Sequence, residues 1–213
     1  MEANAPKSVM QRLKEETWDL HMLAEKGELE QHMIRGTLPK EMYVKTLGQR
    51  YFLHKTLDEL LQAHRPHHPA LQRVVRDSHF HTPRVVADLA FFGVDAATLE
   101  PLPASKRVMD KMREVAAKDP NLLLGMQYVM EGSTNGAKFI AKALRKAYGL
   151  EGEDGTRLLD PYGESQREQW GGFIGAMNSI IFSQEEADGL VDLARATFRF
   201  MIELDEELFA RAA

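Results

Sequence analysis

Cysteine is absent from the 213 residues. That removes disulfides, thiolate nucleophiles, zinc ribbons and every thiolate-held metal or cluster, so any metal must sit on histidine or oxygen. Long apolar runs are missing as well. No stretch approaches the roughly 18 residues needed to span a bilayer, and the most apolar region, residues 122–150, is interrupted by Glu131, Asn135 and Lys138. Residues 1–8 lack the basic-then-apolar pattern of a secretory signal, which predicts a cytoplasmic protein with no membrane contact. There is no excess of positive charge. A formal net charge of -5 disfavours a nucleic-acid partner, because phosphate neutralisation needs clustered Lys and Arg; small anionic ligands remain open through local basic pockets. Phosphate-binding Walker loops, the dinucleotide Gly-x-Gly-x-x-Gly, His-Glu-x-x-His and Gly-x-Ser-x-Gly are all absent. No histidine has a glutamate three positions before it, which disfavours a di-iron carboxylate bundle.

What is present is helix-forming sequence. Ala, Leu, Glu, Lys, Arg, Gln and Met recur in long runs, and no strict apolar/polar alternation lasts long enough for a sheet. The pattern predicts an all-α, single-domain protein of seven or eight helices, with residues 1–8 as a flexible N-terminus and 9–213 as the domain. Helix one should run over 9–26 with Leu13, Thr17, Leu20 and Ala24 in one stripe. A second should start near Pro39 and reach about residue 63. Residues 64–81 hold five of the eight histidines and two helix-breaking prolines, and so read as a solvated connection with one short helix. His32 and His54 read as surface or half-buried helix residues. Thr82-Pro83 opens a helix closed by Gly93. Further helices should cover 104–117 and 122–148, the latter stopped by Gly149. After a Gly/Asp-rich surface loop over 151–162, helices over 164–181 and to about 209 complete the chain, the last launched by the capping-box spacing Ser183-x-x-Glu186.

Within the long apolar helix lies Glu131-Gly132-Ser133-Thr134-Asn135-Gly136-Ala137. Each mid-helix glycine costs about 0.5–1 kcal/mol relative to alanine, and Ser, Thr and Asn compete for backbone hydrogen bonds. Gly132 and Gly136, four apart, open one face; either another helix packs closely there, or the backbone approaches a flat ligand. His21 sits on the broad apolar face of helix one with Glu25 one turn later. In that arrangement Glu25 accepts from Nδ1 and Nε2 is left free for a metal. Packing alone would also explain such a histidine. Lys14, two turns before His21, and Tyr128, one turn before Gly132, are placed to meet a carboxylate at a pocket rim; the alternatives are a solvated face and core packing. Arg195 and Arg199 make either an anion clamp or a charged face opposite Glu203 and Glu207.

Taken together, Leu13-Lys-Glu-Glu-Thr-Trp-Asp-Leu-His21-Met-Leu-Ala-Glu25, continued by Gly36, Tyr43, Leu47 and His54-Lys-Thr-Leu57, resembles the proximal-helix motif of heme oxygenases. About 110 residues later, Tyr128-Val-Met-Glu-Gly132-Ser-Thr-Asn-Gly136-Ala-Lys-Phe resembles the family's distal helix in its bacterial form. The resemblance spans roughly residues 10–205. It implies a helical bundle with heme between the first helix and a glycine-kinked distal helix, His21 as axial iron ligand and Glu25 as the partner of its ring. Gly132, Ser133 and Gly136 would lie over the distal face, where backbone groups and ordered water supply protons. Lys14 and Tyr128, helped by Arg195 or Arg199, would contact the propionates. Heme would be substrate and cofactor at once, cleaved with O2 to biliverdin, CO and Fe2+ by a monomer. Electrons would come from an external reductase (ferredoxin, flavodoxin or an NADPH-dependent reductase), since no flavin or nicotinamide motif is present. The sequence departs from the mammalian pattern at Ser133, which stands where that pattern has a distal aspartate, and at Ala176, where the family carries an arginine. A heme-binding or trafficking protein without turnover is the competing reading, and a relative on the same superfold acting on another small molecule, as thiamin-degrading proteins do, is a third.

Overall fold

The computed structural model describes residues 7–210. Among them lie nine α-helices, joined in places by short 3-10 turns, and no strand. Helix α1 (Val9–Glu25) starts at a capping box: the Ser8 hydroxyl accepts from Gln11 N–H while the Gln11 side chain accepts from Ser8 N–H, satisfying two otherwise orphaned donors. Residues 1–6, and with them most of the segment expected to be flexible, lie outside the described residues, as do 211–213. The stripe on α1 is as expected, with Leu13, Thr17 and Leu20 buried.

A short helix was not foreseen. α2 (Glu28–Arg35) stands between Gly27 and the left-handed Gly36 and buries only Leu29 and Met33, one i,i+4 pair that is too brief for periodicity to reveal. The remaining helices are α3 (Lys40–His64), α4 (Pro69–Val74), α5 (Thr82–Phe91), α6 (Pro103–Lys118), α7 (Leu123–Tyr148), α8 (Gln166–Asn178) and α9 (Gln184–Ala210). Gly149 ends α7 at φ +65°, and the Ser183/Glu186 capping box that starts α9 is formed in both directions.

The long C-terminal helix α9 organises the bundle, packing against both α1 and α7, while α3 packs on α5 and α6 and α2 on α7. One glycine carries the α7–α9 crossing. A methyl on Gly125 would overlap the Leu190 carbonyl oxygen and lie 3.0 Å from its carbon, so only glycine lets these backbones meet. The core is a single cluster of Leu, Met, Val and a few aromatics. No described helix is long and apolar enough to cross a membrane.

The histidine-rich connection needs correcting. His64, His67 and His68 are half-buried or exposed, but His79 and His81 are buried, as is His54 on α3. The expected surface loop over 151–162 is likewise partly internal: Thr156, Leu158 and Leu159 are buried, and Asp88 from α5 accepts the N–H groups of Arg157 and Leu158.

Candidate functional site

A cavity of about 1170 Å³ opens between α1 on one side and α7 on the other, with α8 and α9 contributing walls. It exceeds the ~300–1,000 Å³ of most small-molecule sites. The side chains reach it through helical spacing. From α1 come Lys14, Trp18, His21 and Glu25; from α8 Trp170, Ile174 and Asn178, one turn apart; from α9 Phe198, Met201 and Asp205.

His21 is half-exposed to this space. Its ring stacks on Trp18 at 5.3 Å and meets the edge of Phe198 at 5.7 Å, which fixes its plane without using its nitrogens. Glu25 is nearby, but the arrangement differs from the expected one: Nε2 is the nitrogen facing Glu25, at 3.7 Å, beyond hydrogen-bonding range, and Nδ1 is buried without a partner. A rotation of the ring is needed to turn Nε2 into the cavity and Nδ1 to Glu25. Both nitrogens are unspent, as a metal ligand requires.

On the opposite wall, α7 is helical without interruption through Gly132 and Gly136. Three consecutive side chains bond back to the helix: Ser133 to Met130 O, Thr134 to Glu131 O and Asn135 to Gly132 O. They thereby spend the polar groups that would otherwise crowd this face. A methyl on Gly136 would meet nothing within 4 Å, and one on Gly132 only the Trp170 ring at 3.5 Å. Helix packing is therefore not what these two glycines serve; that role belongs to Gly125. They face open cavity, and Ser133 lines it beside them.

Lys14 and Tyr128 both line the cavity. Burial pushes the Tyr128 hydroxyl above its usual range, opposed by its hydrogen bond with Thr17 across on α1. Arg195 and Arg199 are not brought to the lining. Arg195 makes a two-pronged pair with Asp19 at 2.8 and 2.9 Å and donates to the Glu16 carbonyl, while Arg199 is exposed.

Beneath the glycine face lies a polar cluster that spacing did not reveal, because its members come from α3, α5, α7 and two connections. His81 Nε2 lies 3.0 Å from Glu131 Oε1, and Arg84 lies 3.3 Å from His81 Nδ1. Arg84 can only donate, so the neutral ring carries its proton on Nε2 and gives it to Glu131. Tyr162 and Gln127 donate to the same carboxyl at 2.8 Å each. Burial pushes His81 down to about 3 and raises Glu131 against these donors. His54, ring centroid 5.5 Å from that of His81, lines the cavity and hydrogen-bonds to no group among the described residues. Burial first, then His81 and Arg50, hold it well below the ordinary histidine value, so it is a neutral donor–acceptor. The one sequence signal for this cluster was Glu131 itself, an acid inside an apolar helix.

A largely apolar cavity with an unspent histidine on one wall and a side-chain-free helix face on the other accepts a flat, metal-bearing ligand. Comparison with known proteins agrees. The heme oxygenase family model matches residues 7–207. The chain belongs to the heme oxygenase family. It is 24% identical over 206 residues to the heme oxygenase of Porphyra purpurea, covering 94% of this chain and 86% of the relative. In fold, this heme oxygenase superposes on heme oxygenase-1 of Synechocystis, a structure in complex with heme, with a TM-score of 0.88 at 23% identity, covering 96% and 94% of the two chains. The heme oxygenase of Leptospira interrogans gives 0.85 at 20%, over 94% and 100%.

Proposed function

We propose that this protein is a heme oxygenase that cleaves heme to biliverdin, CO and Fe2+ with O2 and electrons from an external reductase. The observation that carries it is the pairing, across one cavity, of His21 with the open Gly132–Gly136 face. The residues fit heme: an orphaned ring nitrogen, a cradle that a side chain at position 132 or 136 would fill, and a largely apolar lining. Bound heme supplies the iron that activates O2 and the ring that is opened.

The chain's own groups hold, shield and protonate. His21 ligates through Nε2 after the ring turn, with Glu25 accepting from Nδ1 and making the imidazole a stronger donor. Gly132, Ser133 and Gly136 let backbone lie flat against the distal face and exclude bulk water. Lys14 and Tyr128 meet propionates at the rim. His54, a neutral polar side chain of the lining with no hydrogen bond to a described residue, anchors water in the cavity. With no flavin or nicotinamide motif, the electron donor is a separate ferredoxin, flavodoxin or NADPH-dependent reductase, and the enzyme works as a cytoplasmic monomer. A heme carrier without turnover would not need the side-chain-free face.

The test is hemin titration of purified protein. A Soret band that ascorbate or a reductase bleaches to a biliverdin spectrum is expected; a band that never bleaches leaves a binding protein, and no band removes heme altogether. His21→Ala should change the ferric spectrum and abolish turnover, with partial rescue by imidazole. An unchanged spectrum would remove His21 as ligand.

A further inference from the structure

At the end of the cavity formed by α2, α3 and α9, three charged side chains line the wall: Glu30, Arg50 and Asp205. Among the described residues no hydrogen bond or ion pair ties them to one another or to other groups, and Arg50 Nε is buried with no acceptor. Charges removed from bulk solvent and left unpaired are costly. A polar chamber of this size holds water, which satisfies such groups. Along α3, Arg50 and His54 are one turn apart on the cavity side, so the polar lining continues from this end to the glycine face. His54 is 7% exposed and, like Arg50, without a protein partner, so both ends of that line present unspent hydrogen-bonding atoms.

The chemistry at the glycine face consumes protons, since oxygen atoms that leave as water each require two. His81 and Glu131 are committed to one another and to Arg84, Tyr162 and Gln127. His81 lines the cavity, but its ring nitrogens are both engaged. Glu30 and Asp205 line it with no hydrogen bond or ion pair among the described residues. Asp205 also lies under the α1–α2 corner, where a methyl on Gly27 would come within 3.3 Å of its Oδ2. The missing side chain leaves the corner thin, and the next residue, Glu206, is exposed.

We infer that Glu30, Arg50 and Asp205 form a hydrated proton-exchange pole of the cavity, passing protons through water held by Arg50 and His54 to the face under Gly132 and Gly136. In each transfer a carboxyl O–H breaks, an O–H forms on the neighbouring water, and the carboxylate regains its proton from solvent at the Gly27 corner; no electrons move. The inference rests on the heme oxygenase reading above. Charge supports it. Burial raises both acids, Asp205 to about 7, where it exchanges at neutral pH. The groups facing Asp205 are Arg50, Glu30 and Glu206, and those facing Glu30 are Arg50, Glu25 and His21. Neither acid hydrogen-bonds or ion-pairs with His21, whose ion-pair neighbour is Glu25 at 3.7 Å.

The experiment is calorimetric hemin binding at pH 7 in buffers of different ionisation enthalpy, which counts protons, with the pH profile of ascorbate-driven turnover measured beside it. Asp205, raised by burial to about 7, is partly ionised at pH 7 and a bound macrocycle that takes water from the cavity favours its neutral form, so the wild type should take up a fraction of a proton more than Asp205→Asn. Glu30→Gln/Asp205→Asn should lose at least tenfold in kcat, with hemin affinity within about threefold and the fall steepest above pH 7; Asp205→Glu should recover most of it. Equal proton counts and superimposable pH profiles in wild type and variants, with the Soret band intact, would overturn the inference while leaving the heme oxygenase reading in place. Absence of the Soret band in the wild type would overturn both. Arg50→Met, which keeps the volume, guards against misfolding of the double variant: an unchanged kcat and pH profile there also overturns the proposed pole.

Discussion

Three glycines on α7 should respond in opposite senses to the same substitution. Alanine at Gly136 adds a methyl to open space and at Gly132 one in ordinary contact with Trp170. Each should recover the helix propensity glycine forfeits, about 0.5–1 kcal/mol. Alanine at Gly125 gains the same propensity, but its methyl must displace the Leu190 backbone, which has no rotamer to give. Separating α7 from α9 by the order of an ångström costs roughly 1–3 kcal/mol or more in a close-packed interior. The heme-free Gly136→Ala and Gly125→Ala proteins should therefore differ by about 2 kcal/mol or more, about 4–8 °C in Tm for a chain of this length. Urea unfolding followed by circular dichroism, with unchanged m and Cm shifted up for Gly136→Ala and down for Gly125→Ala, is the direct reading. A destabilised Gly136→Ala would show that another helix closes on this face, and the argument that the face is kept open for a ligand would collapse.

Other consequences are as specific. Larger residues at Gly132 or Gly136, such as leucine, should block O2-dependent bleaching more than hemin affinity; equal loss of both in parallel titrations would assign the glycines to binding alone. Burial raises Asp205 from 3.8 to about 7, so the folded protein holds a proton that the unfolded chain gives up above pH 4. The stability linked to this group is therefore lost as pH rises from about 4 to 7. Asp205→Asn should gain on the wild type by on the order of 1–3 kcal/mol between pH 5 and 8 in urea unfolding, and a constant difference would contradict the shift. Glu131→Ala strands the donors of His81, Tyr162 and Gln127 in the interior and should cost about 3 kcal/mol or more; a loss below about 1 kcal/mol in thermal unfolding would mean water replaces the carboxyl. Arg195→Ala removes an ion pair half open to solvent, worth at most about 1 kcal/mol, and should leave hemin affinity unchanged; a tenfold weaker Kd would place Arg195 at the propionates after all.

Sequence periodicity and punctuation determined the helical class and most helix boundaries, because these depend on contacts three or four residues apart and on local caps, while the pairing of the His21 and Gly132–Gly136 motifs came from their joint resemblance to heme oxygenases. It missed α2, whose one buried pair is too short a pattern. It placed His54, His79 and His81 at or near the surface, because a histidine's burial is set by which helices close over it. Tertiary structure alone decided that Gly125, not Gly132 or Gly136, serves helix packing, and that Arg195 is taken by Asp19. It alone put Glu30, Arg50 and Asp205 into the same cavity. Each of these depends on which backbone or charge from a distant segment arrives at a position, and no spacing along the chain encodes that.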